Sequence, residues 1–288
     1  MEREIASQPG LWSQLADTCD LSLLPAADAR VAAIGCGTSY NIAGAYAARR
    51  ESLGRGTTDA WVASDVAASR PYDALIAISR SGTTSEVIEA IKNTTVPTLA
   101  IVGVADTPIA ELADRVIVLA DADESSVVQT RFATTALSAL RLSIGDDLGP
   151  AIEAASEVVE MSDDDLLGDL TEVDQVTYLG SGWAYPLAEE AALKLRESAQ
   201  FWSEAYVSME YRHGPISIAQ PQRGVWALDQ LPPGLDDQII ATGATLRRSM
   251  SDPMAELVGT HRLALAMARR RGLDPDSPRS LTRSVVLS

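Results

Sequence analysis

The sequence predicts an α/β protein of two lobes, each a parallel sheet with helices on both faces, the second lobe abbreviated. Three observations carry that expectation. Short apolar runs at residues 31–34, 60–63, 74–78, 98–103 and 116–119 alternate with helical stretches, and strands apolar on both sides belong to a parallel sheet covered on both faces. Another apolar run at 176–179 opens a repeat: Gly35 and Gly180, Gly37 and Gly182, Tyr40 and Tyr185, Ala43 and Ala188, and Ala47 and Ala192 match at one constant offset, as duplicated lobes would. The 288 residues are 46% hydrophobic and 22% charged, a composition that buries a sizeable core and does not suit a disordered chain.

Charge and cysteine content narrow the function. A formal net charge of −17 leaves no excess of lysine and arginine to replace the counterions of a nucleic-acid backbone, so nucleic acid is not an expected partner. One phosphate group needs only a local site. The opening MEREIASQPG has no apolar h-region, and no run reaches the length of a membrane span; neither a signal peptide nor a membrane anchor is expected, and the expected location is the cytoplasm. Cys19 and Cys36 lack CxxC spacing, and His213 and His261 complete the set of thiols and imidazoles. These imply neither a disulfide framework nor a metal cluster, and no cofactor.

In chain order, residues 1–28 read as a leader of one or two short helices. The strand at 31–34 then meets the glycine-rich turn Gly35-Cys36-Gly37-Thr38-Ser39 and an alanine-rich helix at 40–49. Helices are expected at 108–113, 132–144 and 150–161, the last two bridging, and the aspartate-rich 162–169 reads as a linker. The domain boundaries expected are thus a leader at 1–28, a first lobe at 29–161 and a second at 162–288. In the second lobe the helix at 185–199 follows the Gly180-Ser181-Gly182 turn; strands at 225–228 and 245–247 and helices at 236–241 and 253–271 complete a smaller sheet. Neither G-x-G turn has a third glycine three positions on, so dinucleotide binding is the weaker reading.

The turn after the third strand, Ser79-Arg80-Ser81-Gly82-Thr83-Thr84-Ser85, combines hydroxyls with a helix start. Thr83 with Glu86 fits a capping box, and Val87, Ile88 and Ile91 mark an apolar helix face. Hydroxyls added to the unpaired amides of a helix N-terminus make a cradle for phosphate. Taken alone, the hydroxyls favour an ordinary βα loop over a binding site. Further on, Glu190, Lys194 and Glu197 recur at helical spacing on one face, which by spacing alone is a solvated salt-bridge row. Glu204, Glu210 and His213 lie in a second polar segment ending Arg212-His213-Gly214-Pro215, a turn able to aim the imidazole. A carboxylate, a lysine and a histidine beside a phosphate cradle suit enolisation of a sugar phosphate.

The motifs REIASQP, GCGTSYN, SRSGTTSE, ESSVVQTRFATT, LGSGWAYPLAEEAALKLRES, SEAYVSMEYRHGP and DSPRSLTRSV, taken in that order, resemble the sugar isomerase (SIS) domain proteins. The likeness is greatest to the double-SIS isomerase half of glutamine–fructose-6-phosphate aminotransferase and to stand-alone amino-sugar phosphate isomerases and deaminases. It implies two flavodoxin-like lobes in a homodimer with sites between lobes and subunits. Carried over by motif, it implies a sugar-phosphate cradle of Cys36, Gly37, Thr38, Ser39, Ser79, Arg80, Ser81 and Thr84, with the Val127 backbone on the sugar. Glu197 then corresponds to the proton-moving carboxylate, Lys194 to the lysine one turn earlier, and His213 to the ring-opening imidazole. Arg283 stands where the family has a lysine, and arginine forms no Schiff base at neutral pH; carbonyl addition is thereby disfavoured and isomerisation is not. The sequence begins directly with the leader, so glutamine-dependent synthesis by this chain alone is not expected. The implied function is isomerisation of a ketose, aldose or amino-sugar 6-phosphate by proton transfer between C1 and C2, with or without deamination. The alternative is a non-catalytic sugar-phosphate sensor.

Overall fold

Each glycine-rich turn of the repeat sits at the carboxyl end of a fully buried strand. The computed structural model describes residues 1–67 and 70–287. In chain order the main elements are α1 (Glu2–Thr18), β1 (Val31–Gly35), α2 (Thr38–Ser52), β2 (Thr58–Val62), β3 (Ala74–Ser79), α3 (Ser85–Lys92), β4 (Thr98–Val102), α4 (Pro108–Leu112), β5 (Arg115–Val118), α5 (Arg131–Ser143), α6 (Gly149–Glu160), α7 (Asp163–Leu167), β6 (Gln175–Gly180), α8 (Ala184–Ala199), β7 (Ser203–Val207), β8 (Arg223–Ala227), α9 (Leu235–Ala241), β9 (Thr245–Arg247) and α10 (Pro253–Arg270). The first sheet has the order β2-β1-β3-β4-β5 and the second β7-β6-β8-β9; every pairing is parallel. The first is the flavodoxin-like order, and the second is the same order without its fifth strand.

Two compact units divide the chain. Gly10–Ser125, Gln129–Leu148 and Thr282–Ser288 surround the first sheet, and Met1–Pro9, Ser126–Val128 and Gly149–Leu281 the second. These units do not follow linear boundaries at residues 28 and 161. Helix α6, read from sequence as a bridge of the first lobe, packs on α10 in the unit of the second sheet.

In the first sheet, side chains alternate between faces. Ala32, Ile34, Leu75, Ala77, Ala100 and Val102 meet Val87 and Ile91 of α3 and Ile109 of α4, while α2 packs on α5 and against β1 and β3. In the second sheet, Leu179 and Val225 join Leu235 and Ile239 of α9 and Tyr211, and α8 lies along β6 and packs on α10. Gly259 of α10 lets the Trp226 ring approach so closely that a Cβ there would sit 3.1 Å from it.

Four expectations are corrected. The leader's main helix, α1, is 17 residues long and not short, with Pro9 inside it; a 3-10 turn at Leu21–Leu23 follows it. The expected linker is a capped helix, α7, in which Ser162 accepts a hydrogen bond from the Asp165 amide and Leu166 and Leu167 are buried; the aspartates that suggested solvent sit favourably at a helix N-terminus. Strand β7 was not expected, because one buried residue and four half-buried ones give an edge strand no continuous apolar run. The Thr83–Glu86 capping box does not form: Thr84 is the N-cap of α3 and makes no side-chain cap.

Candidate active site

Gly35 ends β1, and a Cβ there would lie 2.5 Å from the Ser39 backbone, so only glycine lets α2 start this close to its strand. Gly37 follows at φ +54° as the N-cap of α2. Thr38 and Ser39 are buried in the first helical turn and Cys36 is half-buried; burial pushes the Cys36 thiol up, and Glu86 adds to the shift. Because β1 pairs with β3, the turn after β3 lies beside this one. There Ser79 Oγ accepts from the Gly82 amide at 3.3 Å and lies 3.4 Å from Thr84 Oγ1. Ser81 Oγ accepts from the Thr83 amide at 3.3 Å and from Thr83 Oγ1 at 3.2 Å. The structure thus brings Cys36, Gly37, Thr38, Ser39, Ser79, Ser81 and Thr84 to one sheet edge, at the switch point between β1 and β3 where ligands of such sheets bind.

Arg80 is almost wholly buried beside them. Its Nη1 lies 3.7 Å from Glu124 Oε2, and Nη2 donates to the Arg283 carbonyl at 3.4 Å. Glu124 Oε1 in turn accepts from the Thr130 amide at 2.5 Å, from Thr130 Oγ1 at 2.8 Å and from the Arg131 amide at 2.9 Å, so it caps α5 as well as facing Arg80. Arg283 donates to the Asp123 carboxylate and the Glu124 carbonyl. The residues after it lie along the start of α3: Thr83 Oγ1 and Ser284 Oγ are 2.9 Å apart, the Ser85 amide donates to the Val285 carbonyl at 3.3 Å, and the Leu287 amide to Ser85 Oγ at 2.9 Å. Asp123, Glu124 and Ser284 were missed by sequence reasoning. Their roles come from segments about 40 to 200 residues away in the chain, and no spacing rule reaches that far.

The second unit holds the other expected residues. Glu190 and Lys194 on α8 are completely buried, and Glu197 is largely so. Lys194 Nζ lies 3.4 Å from Glu190 and donates to Glu197. Burial alone would push this ammonium down, but the two carboxylates outweigh burial and hold it above the ordinary lysine value. The row that spacing suggested was solvated is therefore a buried triad, because α8 lies between its sheet and α10 and few of its faces reach water. His261 of α10 is buried with Nδ1 3.4 Å from Gln8 Nε2; burial first, and then the Lys194 charge, push it down to about 3, so it is neutral. Glu197 also lines a cavity of about 410 Å³ with Arg196, Gln200, Phe201 and Arg279. His213 is exposed in a 3-10 turn over Glu210–His213, and among the described residues no hydrogen bond joins it to Lys194 or Glu197. The Val127 amide donates to the Asp276 carbonyl at 3.2 Å.

Among the described residues, no cluster of metal-ligating side chains is found, and no helix is long and apolar enough to cross a membrane.

Fold and side chains together define an α/β protein of two parallel sheets with a hydroxyl-rich switch point in the first. Residues 24–144 match the SIS domain. The chain is 28% identical over 306 aligned residues to a glutamine–fructose-6-phosphate aminotransferase of Methanothermobacter thermautotrophicus, an alignment covering 90% of this chain and 52% of that protein; it spans about half the length of the aminotransferases it matches. A glucosamine-6-phosphate deaminase structure from Thermotoga maritima superposes with a TM-score of 0.87 at 25% identity over 99% of both chains. The C-terminal domain of the aminotransferase from Francisella tularensis shares the fold, with a TM-score of 0.78 at 20% identity over 95% of this chain and 97% of that one. The chain is therefore similar to the SIS domain over residues 24–144 and, over most of its length, to about half of a glutamine–fructose-6-phosphate aminotransferase.

Proposed function

We propose that this protein is a phosphosugar isomerase that moves a proton between C1 and C2 of a ketose, aldose or amino-sugar 6-phosphate, with loss of ammonia when the substrate carries nitrogen at C2. The observation that carries this reading is the β1/β3 switch point, where Thr38, Ser39, Ser79, Ser81 and Thr84 present hydroxyls beside the first amides of α2 and α3. Such a cradle suits a phosphate dianion. In the same reading Glu197 takes and returns the proton, Lys194 fixes that carboxylate in place, and His213 opens the ring. Lys194 donates to Glu197 in the structure, a contact that orients the carboxylate. Arg283 is engaged by Asp123 and the Glu124 carbonyl and serves as an anchor for the segment that follows, without covalent chemistry. We further propose that the working form is a cytoplasmic homodimer.

The test is a panel of hexose and hexosamine 6-phosphates, assayed together for product, for ammonia and for exchange of the C1 or C2 proton with solvent deuterium. Exchange with at least one of them is expected. Tight binding of a sugar phosphate without exchange of any of them would replace the isomerase with a sensor.

A further inference from the structure

The two sheets carry the same turn but opposite chemistry beside it. Ile34 pairs with Ala77 in the first sheet, and its repeat partner Leu179 pairs with Ala227 in the second. By that register Asp229 occupies the place of Ser79, Ser181 that of Cys36, and Gln230 that of Arg80. Ser81, Gly82, Thr83 and Thr84 give way to Leu231, Pro232, Pro233 and Gly234. The second switch point has lost its guanidinium and its hydroxyls, and its two prolines offer no amide donor. In their place stands a carboxylate, whose Oδ2 accepts from the Ser181 amide at 3.1 Å, the bond an incoming anion would otherwise take. An anion is excluded there on charge and on donors alike.

We infer that the switch point between β6 and β8 is a second ligand site, one that takes a hydroxylated primary ammonium in place of a phosphate. Asp229 lines a cavity of about 910 Å³ with Gln230, Asp236, Arg248, Ser249 and Ser251 among its walls. Asp236 and Arg248 pair with each other at 3.0 Å, so the charge left over in the cavity is that of Asp229. Among the described residues, none donates a hydrogen bond to its Oδ1, and the soft torsion about Cβ–Cγ lets it turn toward a donor. Burial has pushed this carboxyl up to about 6, the mark of a carboxylate short of solvent and of a counter-charge. An ammonium supplies both the missing donor and the missing charge, and Gln230, Ser249 and Ser251 suit neighbouring hydroxyls.

Glucosamine and N-acetylglucosamine share one scaffold and differ in that charge, so they serve as probes. In calorimetric titrations of the full chain at pH 7.5, glucosamine is expected to bind at least about tenfold more tightly than N-acetylglucosamine. Asp229→Asn, which keeps an acceptor for the Ser181 amide, is expected to weaken glucosamine by about tenfold or more, the worth of a charge-assisted hydrogen bond. Ser79→Ala, which disables the first cradle, is expected to leave glucosamine binding unchanged; this separates the second site from the proposed catalytic one, whatever the outcome there. Circular dichroism of both variants confirms their fold. Absence of glucosamine binding to the wild type, equal binding to a folded Asp229→Asn protein, equal affinity for the acetylated sugar, or loss of binding in Ser79→Ala would each overturn the inference.

Discussion

The turn after β1 and the turn after β6 have nearly the same backbone and different surroundings. A Cβ on Gly35 would lie 2.5 Å from the Ser39 backbone and one on Gly180 2.4 Å from that of Ala184; Gly37 and Gly182 have φ of +54° and +53°. The steric demand of starting a helix against its own strand has kept both glycine pairs. The neighbouring turns differ in sequence, Ser-Arg-Ser-Gly-Thr-Thr after β3 and Asp-Gln-Leu-Pro-Pro-Gly after β8, and each holds one glycine at positive φ, Gly82 at +68° and Gly234 at +74°. The two lobes share the backbone geometry that packing a helix against its strand demands, while the side chains of the neighbouring turns differ in charge and in hydrogen-bonding groups.

The largest expected effect breaks the comparison at the reaction itself. Glu197→Gln is expected to reduce solvent-deuterium exchange by about 10²- to 10⁴-fold, the usual contribution of a positioned acid or base, while binding of the sugar phosphate persists. Wild-type exchange in this variant would return Glu197 to a structural role as the partner of Lys194. His213→Ala should differ in kind, slow on cyclic sugars and nearly normal on a substrate held open.

Substitutions at the paired glycines probe what the two turns share. Gly35→Ala and Gly180→Ala are each expected to lower stability by about 3 kcal/mol, at the upper end of overpacking costs, because the clash is with backbone. Chemical denaturation measures both; a loss confined to Gly35 would show that the second turn tolerates a side chain and that the repeat is looser than its geometry suggests.

A smaller effect separates the cradles. Ser79→Ala is expected to weaken binding of inorganic phosphate by roughly tenfold, through loss of one hydrogen bond to a charged group, whereas Asp229→Asn should leave it unaltered. Equal weakening by the two would place phosphate at both switch points.

The smallest effect is a pH dependence. Asp229 has a folded value of about 6 against 3.8 unfolded, so its contribution to stability is fully present below about pH 3.8 and is lost as pH rises through about 6. Asp229→Asn should therefore stabilise the protein at pH 7.5 by a few tenths to about 1 kcal/mol, allowing for solvent screening of a half-exposed group, and have no such effect near pH 3.5. Melting temperatures at the two pH values decide it; an equal shift at both would mean that Asp229 does not titrate differently on folding.

By itself, the sequence determined the succession of strands and helices of the first sheet, the duplicated turn and the hydroxyl-rich turn after β3, because these rest on local signals: apolar runs, glycine where a helix crowds a strand, hydroxyls at a helix start. Tertiary structure decided what those signals could not reach. Strand β7 is an edge strand with four half-buried residues, so its place came from pairing with β6. The Glu190–Lys194–Glu197 face reads as solvent by spacing and is buried by α10, which follows it about 60 residues later. Glu124 is one acid among 40 acidic residues in the sequence until α5 and Arg80 converge on it. In each case the deciding partner is distant along the chain, and burial and charge pairing are properties of the packed neighbourhood, which only the folded chain assembles.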